Sequence, residues 1–496
     1  MDLTVLLFLT SGLFLGWSLG ANDAANVFGT AVGTRMVRFT TAAIICSVFV
    51  ILGAVISGAG ASHTLGELGA INALAGAFMV ALAAALTVYL MTTWRLPVST
   101  SQAIVGAIIG WNLFSGSVTD MTTLVKIVAT WVACPVLAAI FAALILRMAQ
   151  LFQQVAKLHL LRLDANSRLA LIIAGAMGAY SLGANNIANV MGVFVPATPF
   201  TDFRVGDLFV LSAVQQLFLL GAIAIAVGVF TYSKRVMLTV GQELLPLSPV
   251  AAWVAVVAHA VVLFLFASEG LEHLLAQMGL PTIPLVPVSS SQAVVGAVLG
   301  IGLMRGGREI RWRVLGNIGA GWITTPIISA VVCFIALFFL QNVFNQKVYQ
   351  EVRYELSPAA AALLQGELAP DELEALHGKQ FPSSASFLDA IHDKVSLSSA
   401  QDRQLLNYSE VGNLVIDERG LASLDTAWLS SAQIAALHSL RGQKFRYKWR
   451  LAEALAQASE EWRWRESSTL NKRYNKEIER KLDYVYRVFE ETDEAQ

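Results

Sequence analysis

Residues Gly20 to Arg35 read GANDAANVFGTAVGTR, and residues Gly183 to Thr198 read GANNIANVMGVFVPAT. A GAN-N/D-x-AN-V-x-G core therefore recurs 163 positions later, inside an equally apolar setting. A second phrase behaves in the same way. Pro97 to Gly110 is PVSTSQAIVGAIIG, and Pro287 to Gly300 is PVSSSQAVVGAVLG, an offset of 190. Two different polar phrases repeated in the same order mean that the chain is an internal duplication. The spacing predicts two halves, residues 1–160 and 161–345, followed by a region of another kind at 346–496.

Composition sets the class. The chain has 496 residues, of which 56% are hydrophobic and only 14% charged, and its mean hydropathy is +0.61. Soluble domains carry roughly 25% charged residues, so this is a polytopic membrane protein. Charge is unevenly distributed: residues 1–345 hold 15 Lys/Arg and 11 Asp/Glu, and residues 346–496 hold the remaining 19 and 24. The N-terminus, MDLTVLLFLTSGLFLGWSL, has no basic n-region and no small-residue cleavage site, which predicts a retained first helix. Cys46, Cys134 and Cys333 are widely separated in apolar stretches and read as packing residues rather than metal ligands.

Ten apolar segments follow one another in two sets of five, at about 3–34, 40–57, 71–94, 98–115 and 124–149, then 168–197, 206–232, 249–268, 287–304 and 314–341. The first of each set exceeds what a hydrocarbon core of about 30 Å requires at 1.5 Å per residue. A break is expected at each GAN phrase, with Gly20 and Gly183 permitting unwinding and the Asn and Asp side chains capping the freed backbone. Followed through alternate crossings, Arg35, Arg38, Arg95, Arg147, Lys157, Arg162, Arg168, Lys234, Arg235, Arg305, Arg308, Arg311 and Arg313 fall on one side, while Lys126 and Arg204 fall on the other. The basic side is cytoplasmic. Five crossings per set invert the second half relative to the first. The expected architecture is an all-α polytopic membrane protein of two inverted-topology repeats with broken or re-entrant helices, plus a C-terminal soluble α-helical domain. The N-terminus and that domain both fall outside the cytoplasm.

Asp23 is the carboxylate near the middle of an apolar segment, and a charge placed there implies a functional partner. Around it stand Asn22, Asn26 and Thr30, and the repeat sets Asn185, Asn186 and Asn189 opposite. Hard oxygen ligands suit Na⁺, and Asp23 alone suits a proton. Interhelical hydrogen bonding is the alternative for any single amide, but it accounts poorly for five asparagines and an aspartate in a duplicated phrase.

In the second phrase, Pro97 and Pro287 are expected to end one helix and begin the next. Ser99, Thr100, Ser101 and Gln102, with Ser289, Ser290, Ser291 and Gln292, then lie at new helix N-termini. Free N–H groups, hydroxyls and the positive dipole end make an anion cradle. Ordinary capping is the other reading of individual hydroxyls. His259 reads as a hydrogen-bonded packing residue, Gln215 and Gln216 as interhelical or dimer contacts, and His63, Glu67, Glu269, Glu272 and His273 as solvated loop residues.

GANDAAN with PVSTSQAIVGAIIG, each echoed in a second half, resembles the inorganic phosphate transporter (PiT) family of secondary transporters. The resemblance covers about residues 10–340. It implies phosphate at the two Ser/Thr-Gln blocks, cations at Asn22, Asp23, Asn26, Asn186 and Asn189, and a homodimer in the inner (plasma) membrane. Many family members carry Asp in both GAN motifs where this chain has Asn186, which bears on cation number. The GANDAAN style is similar to the Na⁺-coupled branch, so the resemblance favours Na⁺ over H⁺, with no cofactor. Another tetrahedral oxyanion such as sulfate, or a transporter-derived channel or receptor with the tail as its signalling module, are the competing readings. No nucleophile–base pair suggests an enzyme.

The tail, 346–496, carries the capping boxes Ser398-x-x-Gln401 and Ser430-x-x-Gln433 and a dense mixed-charge helical pattern from Lys444 to Glu491. Its acidic excess argues against nucleic acid.

Overall fold

The computed structural model describes residues 3–490 except 70, 94–97, 157–159, 197, 199, 201–202, 206–208, 235–236, 238–246, 309, 365–375, 427, 467 and 469–470. Pro97 and Arg95 thus lie outside the described residues.

The chain folds as two compact units. The first contains residues 1–115, 119–272 and 282–350. It is built from α1 (Leu3–Gly33), α2 (Phe39–Ser57), α3 (Ala59–Leu68), α4 (Leu74–Thr93), α5 (Thr100–Ser115), α6 (Met121–Ala156), α7 (Leu160–Met191), α8 (Ala213–Thr231), α9 (Pro249–Ala267), α10 (Glu269–Gln277), α11 (Ser290–Met304) and α12 (Trp312–Asn342). A short hairpin, β1 (Phe203–Val205) with β2 (Phe209–Leu211), precedes α8. Eight of these helices are long and apolar enough to cross a membrane. α5 and α11, with 16 and 15 residues, span only about 22–24 Å. The crossings expected at 98–115 and 287–304 are therefore partly helix, and residues 280–289 reach α11 without regular structure. Pro287 lies in that non-helical run and ends no helix, because its missing N–H is best accommodated where none is needed.

The break expected at the GAN phrases is not observed. α1 is a continuous 31-residue helix through Gly20 to Asn26, and α7 continues through Gly183 to Met191 before one 3₁₀ turn, Gly192–Phe194. The glycines serve a close approach instead. A Cβ at Gly20 would overlap the Ile225 carbonyl oxygen of α8, and one at Gly183 would overlap the Val50 carbonyl oxygen of α2. In lipid, where helices gain no hydrophobic drive from meeting one another, such small-residue contacts hold them together.

The packing partners are reciprocal between the halves. α1 lies on α8 and α7 on α2; α5 lies on α12 and α11 on α6. Gly106 of α5 meets the Pro326 carbonyl of α12, and Gly296 of α11 meets the Pro135 carbonyl of α6. Each pairing has its counterpart in the other half, at offsets of 163 for Gly20 and Gly183, 175 for Val50 and Ile225, 190 for Gly106 and Gly296 and 191 for Pro135 and Pro326, and each joins one half to the other. The α6 and α12 faces turned away from these seams are apolar and exposed, as at Val132, Val136, Ile140, Ile327, Val331 and Phe338, the pattern of lipid-facing helices.

The second unit comprises Gly116–Val118, His273–Pro281 and Glu351–Gln496. Its helices are α13 (Pro358–Leu364), α14 (Ser384–His392), α15 (Ser399–Ser409), α16 (Glu418–Ala422), α17 (Ser431–Ser439), α18 (Lys448–Ala458) and α19 (Lys472–Phe489). Ser398 with Gln401 and Ser430 with Gln433 form the two expected capping boxes. The unit is not purely helical, however. β3 (Tyr354–Glu355) pairs with β4 (Gln380–Phe381), and β5 (Val411–Val415) with β6 (Lys444–Tyr447), all antiparallel. Lys444 to Tyr447, expected to begin a helix, is thus a strand. Its residue Phe445 packs against a core of Leu414, Leu437, Leu455, Trp462, Leu482 and Phe489, and tertiary packing of this kind overrides a weak local preference.

Candidate functional site

The polar residues of the repeated phrases converge inside the first unit, and the exchange of partners between halves brings them together. Asp23, Asn26 and Thr30 project from α1, and Asn185, Asn186 and Asn189 from α7. The half-length helices α5 and α11 begin at Thr100 and Ser290. All these residues, with Ser99, Ser101, Gln102, Ser289, Ser291 and Gln292, are buried; Asn22 is half-buried and borders a small cavity with Trp17, Ser18, Tyr89 and Tyr232.

The phrases are cross-linked. Asn26 Nδ2 donates to Ser290 Oγ at 3.1 Å, and Asn189 Nδ2 donates to Ser101 Oγ at 2.8 Å. A GAN amide of each half thus reaches the hydroxyl block of the other. Ser101 Oγ in turn donates to the Val288 carbonyl at 3.0 Å, and Ser291 Oγ to the Val98 carbonyl at 3.2 Å, so each block is stapled to the chain entering the opposite short helix. Asn189 also donates to Asn186 Oδ1 at 3.0 Å, and Asn186 donates to Leu182 O at 3.3 Å within its own helix.

Capping accounts for some of the hydroxyls. Ser99 Oγ accepts from Gln102 N at 3.3 Å and Ser289 Oγ from Gln292 N at 3.2 Å, each an N-cap bond. Asn185 braces the non-helical run: its Nδ2 donates to Val286 O at 3.1 Å, and its Oδ1 accepts from Val288 N at 3.0 Å. With both ends of its amide on backbone, Asn185 is occupied in a way that Asn186 and Asn189 are not.

Several buried oxygens lack a hydrogen-bond partner among the described residues: Asp23 Oδ1, Thr30 Oγ1, Thr100 Oγ1, Gln102 Oε1, Asn189 Oδ1 and Gln292 Oε1. Buried polar atoms are ordinarily satisfied, at a cost of about 1–3 kcal/mol when they are not. All six belong to the two repeated phrases. The carboxylate and amide oxygens suit a hard cation, and the Thr100 hydroxyl, as a potential donor, suits an anion. Among the described residues no three His, Cys, Asp or Glu side chains come together as ligands for a transition metal.

His259, read from sequence as a hydrogen-bonded packing residue, is buried and hydrogen-bonded as expected, and its partner belongs to this network. It is fully buried in α9, with Nε2 2.9 Å from Ser290 Oγ. Sequence gave no signal to separate it from an ordinary core histidine, because it stands alone in an apolar run. Two prolines were also overlooked: Pro135 and Pro326 lie inside α6 and α12 and present the carbonyls on which α11 and α5 rest. The side chains away from the network divide differently. Gln215 completes a capping box with Ser212 and donates to Val55 O of α2 at 3.3 Å. Glu67, Glu269 and Glu272 lie on the short helices α3 and α10 rather than in loops. Cys46, Cys134 and Cys333 are buried and unpaired.

Residues 19–333 match the profile of the Phosphate transporter family, and a second match spans 279–387. A Methanocaldococcus jannaschii protein named "Putative phosphate permease" is 27% identical over 336 residues, covering 68% of this chain and 97% of that protein. The sulfate permease CysP of Bacillus subtilis is 27% identical over 368 residues, covering 73% of this chain and 93% of that one. Among solved structures, "The sodium-dependent phosphate transporter" superposes with a TM-score of 0.53 at 23% identity, covering 68% of this chain and 99% of the other. The last likeness is one of fold.

Proposed function

Because this chain belongs to the phosphate transporter family, we propose that it is a secondary symporter that carries inorganic phosphate together with a cation, Na⁺ in preference to H⁺, by alternating access between two inverted repeats. The observation that carries this reading is the cross-linking of the phrases. Asn26 of the cation phrase reaches Ser290 of the anion block, and Asn189 reaches Ser101.

The coupling follows from the chemistry of an amide. When the carbonyl oxygen of Asn189 binds a cation, its N–H groups become stronger donors, and hydrogen bonds in a chain polarise one another in the same sense. The Ser/Thr-Gln blocks at the starts of α5 and α11 then meet the anion with hydroxyls, helix-terminal N–H groups and the positive ends of two helix dipoles. Asp23 supplies the charge that offsets the cation. No Lys or Arg is needed at such a centre, since the cations travelling with phosphate complete the neutralisation.

Topology supports an extracytoplasmic N-terminus and a soluble C-terminal domain on the same side. The second unit gathers the segments that follow α5, α9 and α12: Ala385 N–H donates to Gly116 O at 3.1 Å and Val118 N–H to Ser384 Oγ at 3.0 Å. Alternate crossings put all three segments outside, while the basic turn Arg305 to Arg313 stays in the cytoplasm. A homodimer in the plasma membrane completes the reading.

Uptake of radiolabelled phosphate into proteoliposomes under an imposed Na⁺ or H⁺ gradient tests it: accumulation driven by Na⁺ supports the proposal, and a lack of gradient-driven accumulation rejects it. The likeness to a sulfate permease favours sulfate as the second reading, and excess sulfate as competitor distinguishes the two.

A further inference from the structure

We propose that His259 is a positioning residue: it fixes the Ser290 hydroxyl as a hydrogen-bond donor to the transported oxyanion. The inference rests on the oxyanion-symporter reading above and adds to it a residue that lies outside both repeated phrases.

The geometry is that of one hydroxyl and two neighbours. Ser290 Oγ, on the first residue of α11, receives the Asn26 Nδ2–H at 3.1 Å and faces His259 Nε2 at 2.9 Å. A hydroxyl has one hydrogen to give and two lone pairs to receive with. Asn26 uses one lone pair, so the state of His259 decides where the hydrogen points. With the imidazole proton on Nδ1, Nε2 would take the serine hydrogen and the hydroxyl would be spent. With the proton on Nε2, the imidazole donates, both lone pairs of Ser290 are filled, and the hydroxyl hydrogen must point elsewhere.

The surroundings of the ring select the second arrangement. His259 Nδ1 is buried and has no hydrogen-bond partner among the described residues. It lies beside Gly178 of α7, where an added Cβ would stand 3.9 Å away. A proton on Nδ1 would leave a buried N–H unpaired, and orphaned buried donors are rarer than orphaned acceptors. A neutral ring therefore carries its proton on Nε2, where the Ser290 oxygen receives it.

The other half provides a comparison. Thr100, the residue 190 positions before Ser290, also begins its short helix, and its Oγ1 has no partner among the described residues. Its hydroxyl is free without assistance. The offset of 175 that relates α2 to α8 sets Ala84 of α4 opposite His259, so no imidazole acts on Thr100. Both short helices thus present a first-residue hydroxyl free to donate, one because it has no hydrogen-bond partner among the described residues and the other because two donors already fill its lone pairs.

Binding of inorganic phosphate to the purified full-length protein in Na⁺ buffer, followed by calorimetry, tests the inference. Ser290→Ala removes a donor to a charged group and should weaken phosphate about tenfold to a hundredfold. His259→Leu should weaken it as much, and the double variant no more than Ser290→Ala alone, since both changes remove one function. His259→Gln, whose amide N–H reaches the Nε2 position, should recover affinity to within about threefold of wild type. A side chain that only fills space would give additive losses, with Gln no better than Leu. Additive losses, an ineffective Gln, or unchanged affinity in His259→Leu each overturn the proposal. If His259→Leu does not fold, His259→Asn replaces it with the same expectation, because its amide stops short of Nε2. Wild-type protein that binds neither phosphate nor sulfate refutes the oxyanion reading and this inference with it. Wild-type binding that Ser290→Ala leaves intact refutes this inference alone.

Discussion

Asn189 gives its amide N–H to Ser101 Oγ at 2.8 Å, across two helices from different halves of the chain, while its own carbonyl oxygen is buried with no partner among the described residues. One planar group thus offers an open acceptor on one side and holds the start of α5 on the other. Under the proposed symport, a cation bound at the first end would act through this amide on the start of α5 at the second.

Thr100 and Ser101 are adjacent but differently hydrogen-bonded, so the proposed contact to the anion can be tested apart from scaffolding. Thr100 Oγ1 has no partner among the described residues, whereas Ser101 Oγ accepts from Asn189 and donates to Val288 O. Thr100→Val keeps the shape and removes one donor to the anion, so phosphate affinity should fall about tenfold to a hundredfold with the melting temperature unchanged. Ser101→Ala should lower both affinity and melting temperature. Calorimetric titration and thermal unfolding of each variant check the pair.

Asn186→Asp should strengthen cation dependence. Asn186 Oδ1 already accepts from Asn189 Nδ2 at 3.0 Å, and a carboxylate in its place keeps that bond while adding a negative charge to the second phrase. Phosphate uptake measured against Na⁺ concentration should become steeper or shift to lower Na⁺. An unchanged curve would mean that position 186 does not face the cation.

Gly20→Ala should cost more than an ordinary helix-interior change, because the new methyl would overlap the Ile225 carbonyl. Overpacking costs typically 1–3 kcal/mol and occasionally more. Gly316→Ala in α12, with nothing within 4 Å of the added methyl, should be neutral or slightly stabilising. Melting temperatures in one detergent compare them directly.

Gly20 also shows where sequence stops being legible. A glycine within a long apolar helix signals either unwinding or close approach, and the sequence carries no trace of the Ile225 carbonyl that settles which. The repeated phrases, the short helices at Thr100 and Ser290 and the capping boxes of the tail were readable, because repetition and period are local properties. That Asn26 reaches Ser290 and Asn189 reaches Ser101 was not readable, because partner choice is decided by which helices pack. His259 was hidden for the same reason. In the tail, Lys444 to Tyr447 pairs with Val411 to Val415, a contact over some thirty residues that no helical charge pattern discloses.

The C-terminal domain should be reachable from outside the cell. Ala400 is exposed on α15, so Ala400→Cys in a chain with Cys46, Cys134 and Cys333 replaced offers a single thiol. A membrane-impermeant thiol reagent should label it in intact cells. Labelling only after lysis would put the domain in the cytoplasm and reverse the topology.

The central claim is that cation and phosphate sites are energetically coupled through the cross-linked phrases, and the most direct measurement is phosphate affinity of the purified protein with and without Na⁺, alongside Na⁺ affinity with and without phosphate. Linkage requires the two enhancements to be the same factor. The account predicts that Na⁺ tightens phosphate, that phosphate tightens Na⁺ equally, and that Asp23→Asn, while still folded, loses both effects. Phosphate affinity that is indifferent to Na⁺ in the wild type, or coupling that survives Asp23→Asn, would contradict it.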